Sequence, residues 1–139
     1  MATFTTFQDF KEQLTKGVHQ FGTHTFKWAL TNSAPAGTET GIAGITQITG
    51  ANGYTTGGNT ATLTVSETTG TATIAQSGDV TFTASGGTMA TFRYAVLYND
   101  TATSPADAVV GYIDNGSAVS LADTQAWKIV AGNVFTLAG

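Results

Sequence analysis

His19 and His24 are the only imidazoles in the chain, and they flank Gly22. Imidazole is the commonest metal ligand and general base. Two histidines five residues apart, with no paired carboxylate motif, fall short of a ligand set, and a surface or turn role is expected for them. Asp100, Asp107 and Asp114 are too scattered to form one acidic site. No Gly-x-Ser-x-Gly elbow supports a hydrolase triad. The Gly57-Gly58 loop lacks the lysine and following helix of a phosphate cradle, so it reads as the answer to a tight backbone approach. Nothing matches the calcium-loop pattern. No catalytic residue, metal or cofactor is therefore expected, and the chain reads as a non-enzyme.

Arg93 is the only arginine. Its planar fork can grip a carboxylate or several carbonyls at once. The first expectation is an internal clasp to Asp114 or Asp100, and the second is a contact to another subunit. Trp28, Tyr54, Trp127 and the tyrosines could stack on sugars, but aromatics at strand spacing more often form core.

The elements that must hold these residues are mostly strands. Phe7, Phe10 and Leu14 fall at i, i+3 and i+7, which predicts a short helix over 6–16. Thr6 and Asp9 read as a capping-box variant and Gly17 as the stop. Such a helix is marginal alone and must dock its Phe/Leu face, first on the domain that follows. Phe26, Trp28 and Leu30 then alternate, which predicts a strand with one buried face. Ile42, Ile45 and Ile48 define no single sheet face, and residues 50–59 are dense in turn formers. Short strands are expected around Leu63–Val65, Thr71–Ala75 and Val80–Phe82. A stronger one places Phe92, Tyr94, Val96 and Tyr98 on one face and Arg93, Ala95 and Leu97 on the other. Asn115-Gly116 predicts a hairpin between Val109–Asp114 and Ser117–Leu121. Trp127, Ile129, Val134, Phe135 and Leu137 suggest closing strands about a turn at Gly132-Asn133. The expected fold is mainly β, an antiparallel β-sandwich or jelly-roll-like domain over 1–139 with a short N-terminal α-helix.

The 139 residues suit one domain and need no covalent staples. There is no cysteine, so disulfides and thiolate metal sites are excluded. A net charge of −4 with four lysines and one arginine argues against a nucleic-acid partner. No apolar run approaches a membrane span. Threonine replaces charge: there are 28, beside 17 glycines, and only 10% of residues are charged. Threonine suits pleated strand surfaces. Hydroxyls that find partners cost far less to bury than charges do. Such a surface fits a protein covered by neighbours.

Several segments, taken in order, resemble a family of small virion proteins of tailed phages. They are Thr25-Phe26-Lys27-Trp28-Ala29-Leu30-Thr31-Asn32, Asn52-Gly53-Tyr54-Thr55 with Gly57-Gly58, the run Phe92 to Asp100, Gly111-Tyr112-Ile113-Asp114, and Phe135-Thr136-Leu137-Ala138. The resemblance covers nearly the whole chain and departs at Trp28, where a smaller aliphatic is expected. It implies a non-enzymatic component of the virion. The first expectation is a capsid decoration (cement) protein on the phage head surface, bound to the outside of the assembled major capsid protein shell and self-associating as a dimer or trimer. The alternatives are a tail or head–tail junction component and a host-surface glycan-binding module. Phe7, Phe10, Leu14, Trp28, Tyr54, Arg93, Tyr98 and Asp114 are the candidate structural or interface residues.

Overall fold

A computed structural model of the chain describes residues 3–138. It is mainly β, with antiparallel sheets and one short helix. The elements run β1 (Phe4–Thr6), α1 (Phe10–Thr15), β2 (Phe26–Thr31), a 3-10 turn (Ile42–Gly44), β3 (Asn59–Ala61), β4 (Leu63–Thr68), β5 (Thr71–Gln76), β6 (Val80–Thr83), β7 (Phe92–Asn99), β8 (Val109–Val119), β9 (Ala126–Ile129) and β10 (Gly132–Ala138). They form a five-stranded sheet β1-β8-β7-β2-β3, a three-stranded sheet β10-β5-β4 and a pair β6-β9.

β2 and β7 lie inside the five-stranded sheet and are covered on both faces, not on one as alternation in β2 suggested. Phe26, Trp28, Leu30, Ala95 and Leu97 face the main core, which also draws on Ile74, Phe82, Met89 and Val134. Ala29, Val96 and Tyr98 face a smaller cluster closed by Phe7, Ile42, Ile45 and Val109. Each large apolar side chain buried this way contributes roughly 1.5–3 kcal/mol. The isoleucines at 42, 45 and 48 serve two sides: the first two cap the small cluster and Ile48 joins the main core.

The helix is shorter than its pattern. Residues 4–6 pair with β8 as an edge strand, so Thr6 cannot cap, and Asp9 at the helix start makes no capping bond. Phe7 therefore lies on the small-cluster side of the sheet and Phe10 on the main-core side, rather than on one helix face. Leu14 packs half-buried on the main core. The stop is as expected: Gly17 takes φ +78°, and the Gly17 and Val18 N–H groups bond the carbonyls of Leu14 and Gln13, a Schellman end.

Two turn expectations change. Asn115-Gly116 does not reverse the chain. β8 runs on through it, and a bulge there shifts the register from Tyr94↔Asp114 to Phe92↔Val119. Phe92 packs in the main core with Ala95 and Leu97, not in the smaller cluster with Val96 and Tyr98 as strict alternation predicts. The tight hairpin is instead β4–β5, where Thr69 (φ +51°) and Gly70 (φ +81°) join Thr68 to Thr71. At the C-terminus, Gly132 and Asn133 begin β10 instead of turning. β9 pairs with β6 and β10 with β5, so the two closing strands enter different sheets. Gly58 (φ +78°) lies against β2, and a Cβ there would sit 1.8 Å from the Trp28 carbonyl oxygen. The Gly-Gly pair thus permits a close backbone approach.

Candidate contact surface

Asp114 lies opposite Tyr94 across β7 and β8. The Arg93 fork grips it twice, Nε to Oδ1 at 2.8 Å and Nη2 to Oδ2 at 3.1 Å. Asp114 Oδ1 also accepts the Gly116 N–H at 2.8 Å, so one carboxylate ties the strand and the bulge together. The Arg93 bonds, and then the Gly116 bond, hold the Asp114 carboxyl below its ordinary range. Asp100 pairs instead with Lys27 at 3.4 Å.

The clasp is the polar side of a mixed patch. Both its side chains are about two-fifths exposed. The Arg93 guanidinium lies 5.4 Å from the Tyr94 ring centre. Tyr94 meets Tyr112 edge-on at 6.5 Å, and Tyr112 leans on buried Phe7 at 5.4 Å. Tyr94 and Tyr112 are half-buried, with one side of the patch open to solvent. Arginine and tyrosine on rigid strands are the residues that most often anchor protein contacts. Tyr94 and Tyr112 are strand residues in the sequence reading but not site candidates, although each stands one or two residues from a singled-out charge.

Most other candidates are interior. Phe7, Phe10, Trp28, Tyr54 and Tyr98 are buried, so their part is structural. Tyr54 Oη donates to Gln47 Oε1 at 2.6 Å and accepts the Leu30 N–H at 3.1 Å. Gln47 Oε1 also takes the Gly57 N–H at 2.8 Å, and Tyr98 Oη donates to the Gly57 carbonyl. The turn-rich loop is thereby pinned to β2 and β7. Burial pushes the Tyr54 hydroxyl up to about 12 and also raises that of Tyr98. Trp28 Nε1 donates to Gln76 Oε1 at 2.8 Å. Trp127 packs half-buried against Phe82 and Phe92. Neither Trp28 nor Tyr54 offers a sugar-stacking face.

No family model, curated protein or solved structure matches this chain.

The histidines meet at one amide. Asn99 Nδ2 stands 3.3 Å from His19 Nδ1, 3.0 Å from His24 Nδ1 and 3.2 Å from the Val18 carbonyl. The Thr101 N–H bonds Asn99 Oδ1 and fixes which way the amide points. The amide has two protons for these three neighbours, so it cannot donate to all of them, and His19 Nε2 is buried without a partner beside Phe10, Phe21 and Phe26. Burial, and then His24, lower His19 to about 4. It stays neutral as a packing ring. His24 lines a depression of about 290 Å³ with Val18, Thr101, Ala102, Thr103 and Ser104. Among the described residues no three His, Cys, Asp or Glu side chains converge as metal ligands, and no helix is long and apolar enough to cross a membrane.

Proposed function

We propose that this chain is a structural component of a tailed-phage particle, a capsid decoration protein that binds the outside of the assembled major capsid shell and performs no chemistry. One observation carries the reading: along β4, β5 and β10 only Glu67 is ionised, and the exposed positions are otherwise mainly Thr, Ser, Asn, Ala, Gly and Val. A surface of hydroxyls and small side chains loses little when a neighbour displaces its water. The ordered sequence resemblance supports the same class. In this reading the five-stranded sheet faces the other two as an irregular, jelly-roll-like sandwich, which presents rigid strand surfaces and the Arg93–Tyr94–Tyr112 patch outward. A ligand that binds only the assembled shell stabilises it by mass action, and many weakly held copies reinforce one another.

The test is a gel of purified particles, with this chain's band scanned against the major capsid protein. Decoration predicts a copy number comparable to that of the shell subunits. A few copies per particle would move the chain to the tail or head–tail junction, and absence from particles would end the reading. The half-buried Tyr94–Tyr112 pair favours a second reading, glycan binding at the host surface. A glycan array separates the two, since decoration predicts no saccharide retained above background.

A further inference from the structure

We infer that the free edge of β4 pairs with β4 of a second copy of this chain, antiparallel about a twofold axis through Val65. The inference rests on the reading of the chain as a component covered by partners, and it names one of them.

The two-residue turn at Thr69-Gly70 makes Thr68 and Thr71 a hydrogen-bonded pair. Alternation then assigns Ser66–Thr73 and Thr64–Ala75 to the same class. The Ser77 N–H on the Thr62 carbonyl continues the series beyond the strand. The backbone groups of Leu63, Val65 and Glu67 therefore point away from β5, along the sheet edge. Thr64 to Thr68 are all exposed. The strand carries no proline, lysine or bulge, the usual devices that blunt an edge. The other outer strands are shorter or irregular: β1 and β3 have three residues each, β6 and β9 four each, and β10 is bulged between Asn133 and Phe135.

Two observations name the second copy as occupant. The register aligns Phe135, Ile74 and Val65 across β10, β5 and β4 on the core face. That apolar row ends at the free edge in Val65, which is 50% exposed. A twofold-related β4 sets Val65 beside Val65 of its copy and carries the row across without a break. Charge fixes the axis. Centred on Val65, the pairing sets Glu67 opposite Leu63 of the copy. Centred on Glu67, it would set two carboxylates face to face, which is destabilising. The Glu67 carboxylate is already held by its own Gly70 N–H at 2.7 Å. An isologous contact of this kind closes as a dimer.

One strand edge is a small interface, so a dissociation constant of roughly 10–100 µM is expected. Sedimentation equilibrium of the isolated full chain tests it through concentration-dependent dimer. Val65→Lys and Val65→Glu, each alone, set like charges across the axis and should weaken the dimer about tenfold or more. An equimolar mixture of the two should recover a heterodimer. Circular dichroism and the thermal midpoint confirm that each variant is folded, and Val65→Thr serves as the neutral control that keeps the dimer. A wild-type chain that stays monomeric throughout this concentration range overturns the pairing. So does a dimer that Val65→Lys leaves intact, or single-variant losses that mixing does not restore. None of these results touches the particle gel, so the pairing and the decoration reading fail separately.

Discussion

His19 shows how one side chain can be polar in sequence and apolar in use. Its ring stacks on Phe21 at 5.8 Å and leans on Phe10 and Phe26. Protonation would set Nδ1–H against the Asn99 amide donor and leave a charge among phenyl rings. The folded value of about 4 lies below the ordinary 6.5. The unfolded chain therefore binds the proton first as pH falls. The contribution is intact above 6.5, is lost progressively as pH falls from 6.5 to about 4, and amounts to roughly 1–3 kcal/mol. Urea midpoints at several pH values across this window measure it, and His19→Phe should flatten the slope. Parallel profiles for the two proteins would refute the assignment. Nothing in the spacing of His19 and His24 foretold this role, because the amide that joins them lies some 75–80 residues downstream.

Hairpins and bulges are decided by which residues can take positive φ and by what the neighbouring strand demands. Asn115-Gly116 has the stronger local signal, yet Asp114 holds Gly116 inside β8, where Arg93 gives the carboxylate a second anchor. Asp114→Ala should free the bulge without unfolding the sheet. The expected readout is faster amide exchange at Gly116 and its neighbours, with the β2 amides unchanged; unchanged protection at Gly116 would remove the anchor from the account. At Thr69-Gly70 the converse holds, since a β-branched residue occupies a position with φ +51°. Asn tolerates that conformation better, so Thr69→Asn should stabilise the protein by about 0.5–1 kcal/mol, seen as a raised thermal midpoint. A lowered midpoint would mean that the Thr69 side chain matters in a way the turn geometry does not show. Strand existence was legible because β2, β5, β7 and β8 carry strong apolar and β-branched patterning. The helix was overextended because Phe7 keeps helical spacing while pairing geometry draws residues 4–6 into a sheet edge.

At the scale of the molecule, the three sheets are joined by burial and by one side chain in particular. Gln76 is 2% exposed and sits at the end of β5. Its Oε1 accepts the Trp28 indole N–H from β2, and its Nε2 donates to the Ile129 carbonyl at the end of β9 at 3.0 Å. A single amide thus bonds a strand in each of the other two sheets. The sequence pattern shows Trp28 as a strand residue but cannot show that its N–H needs a partner 48 residues away. The contact patch was half legible for the same reason. Arg93 and Asp114 stood out by type, whereas Tyr94 and Tyr112 acquire meaning only once β7 and β8 pair. Gln76→Ala leaves a buried donor and a buried acceptor unpaired and opens a cavity, so a loss of roughly 2–5 kcal/mol is expected. Gln76→Glu keeps the volume and the bond to Trp28, but sets a carboxylate oxygen against the Ile129 carbonyl and should be destabilising at neutral pH, with partial recovery in mild acid. Chemical denaturation reports the size of both effects. Exchange of the Trp28 indole proton reports their place: it should quicken in Gln76→Ala and stay slow in Gln76→Glu. If the indole stays protected in the alanine variant, the packing around Trp28, rather than the amide, is what holds the three sheets together.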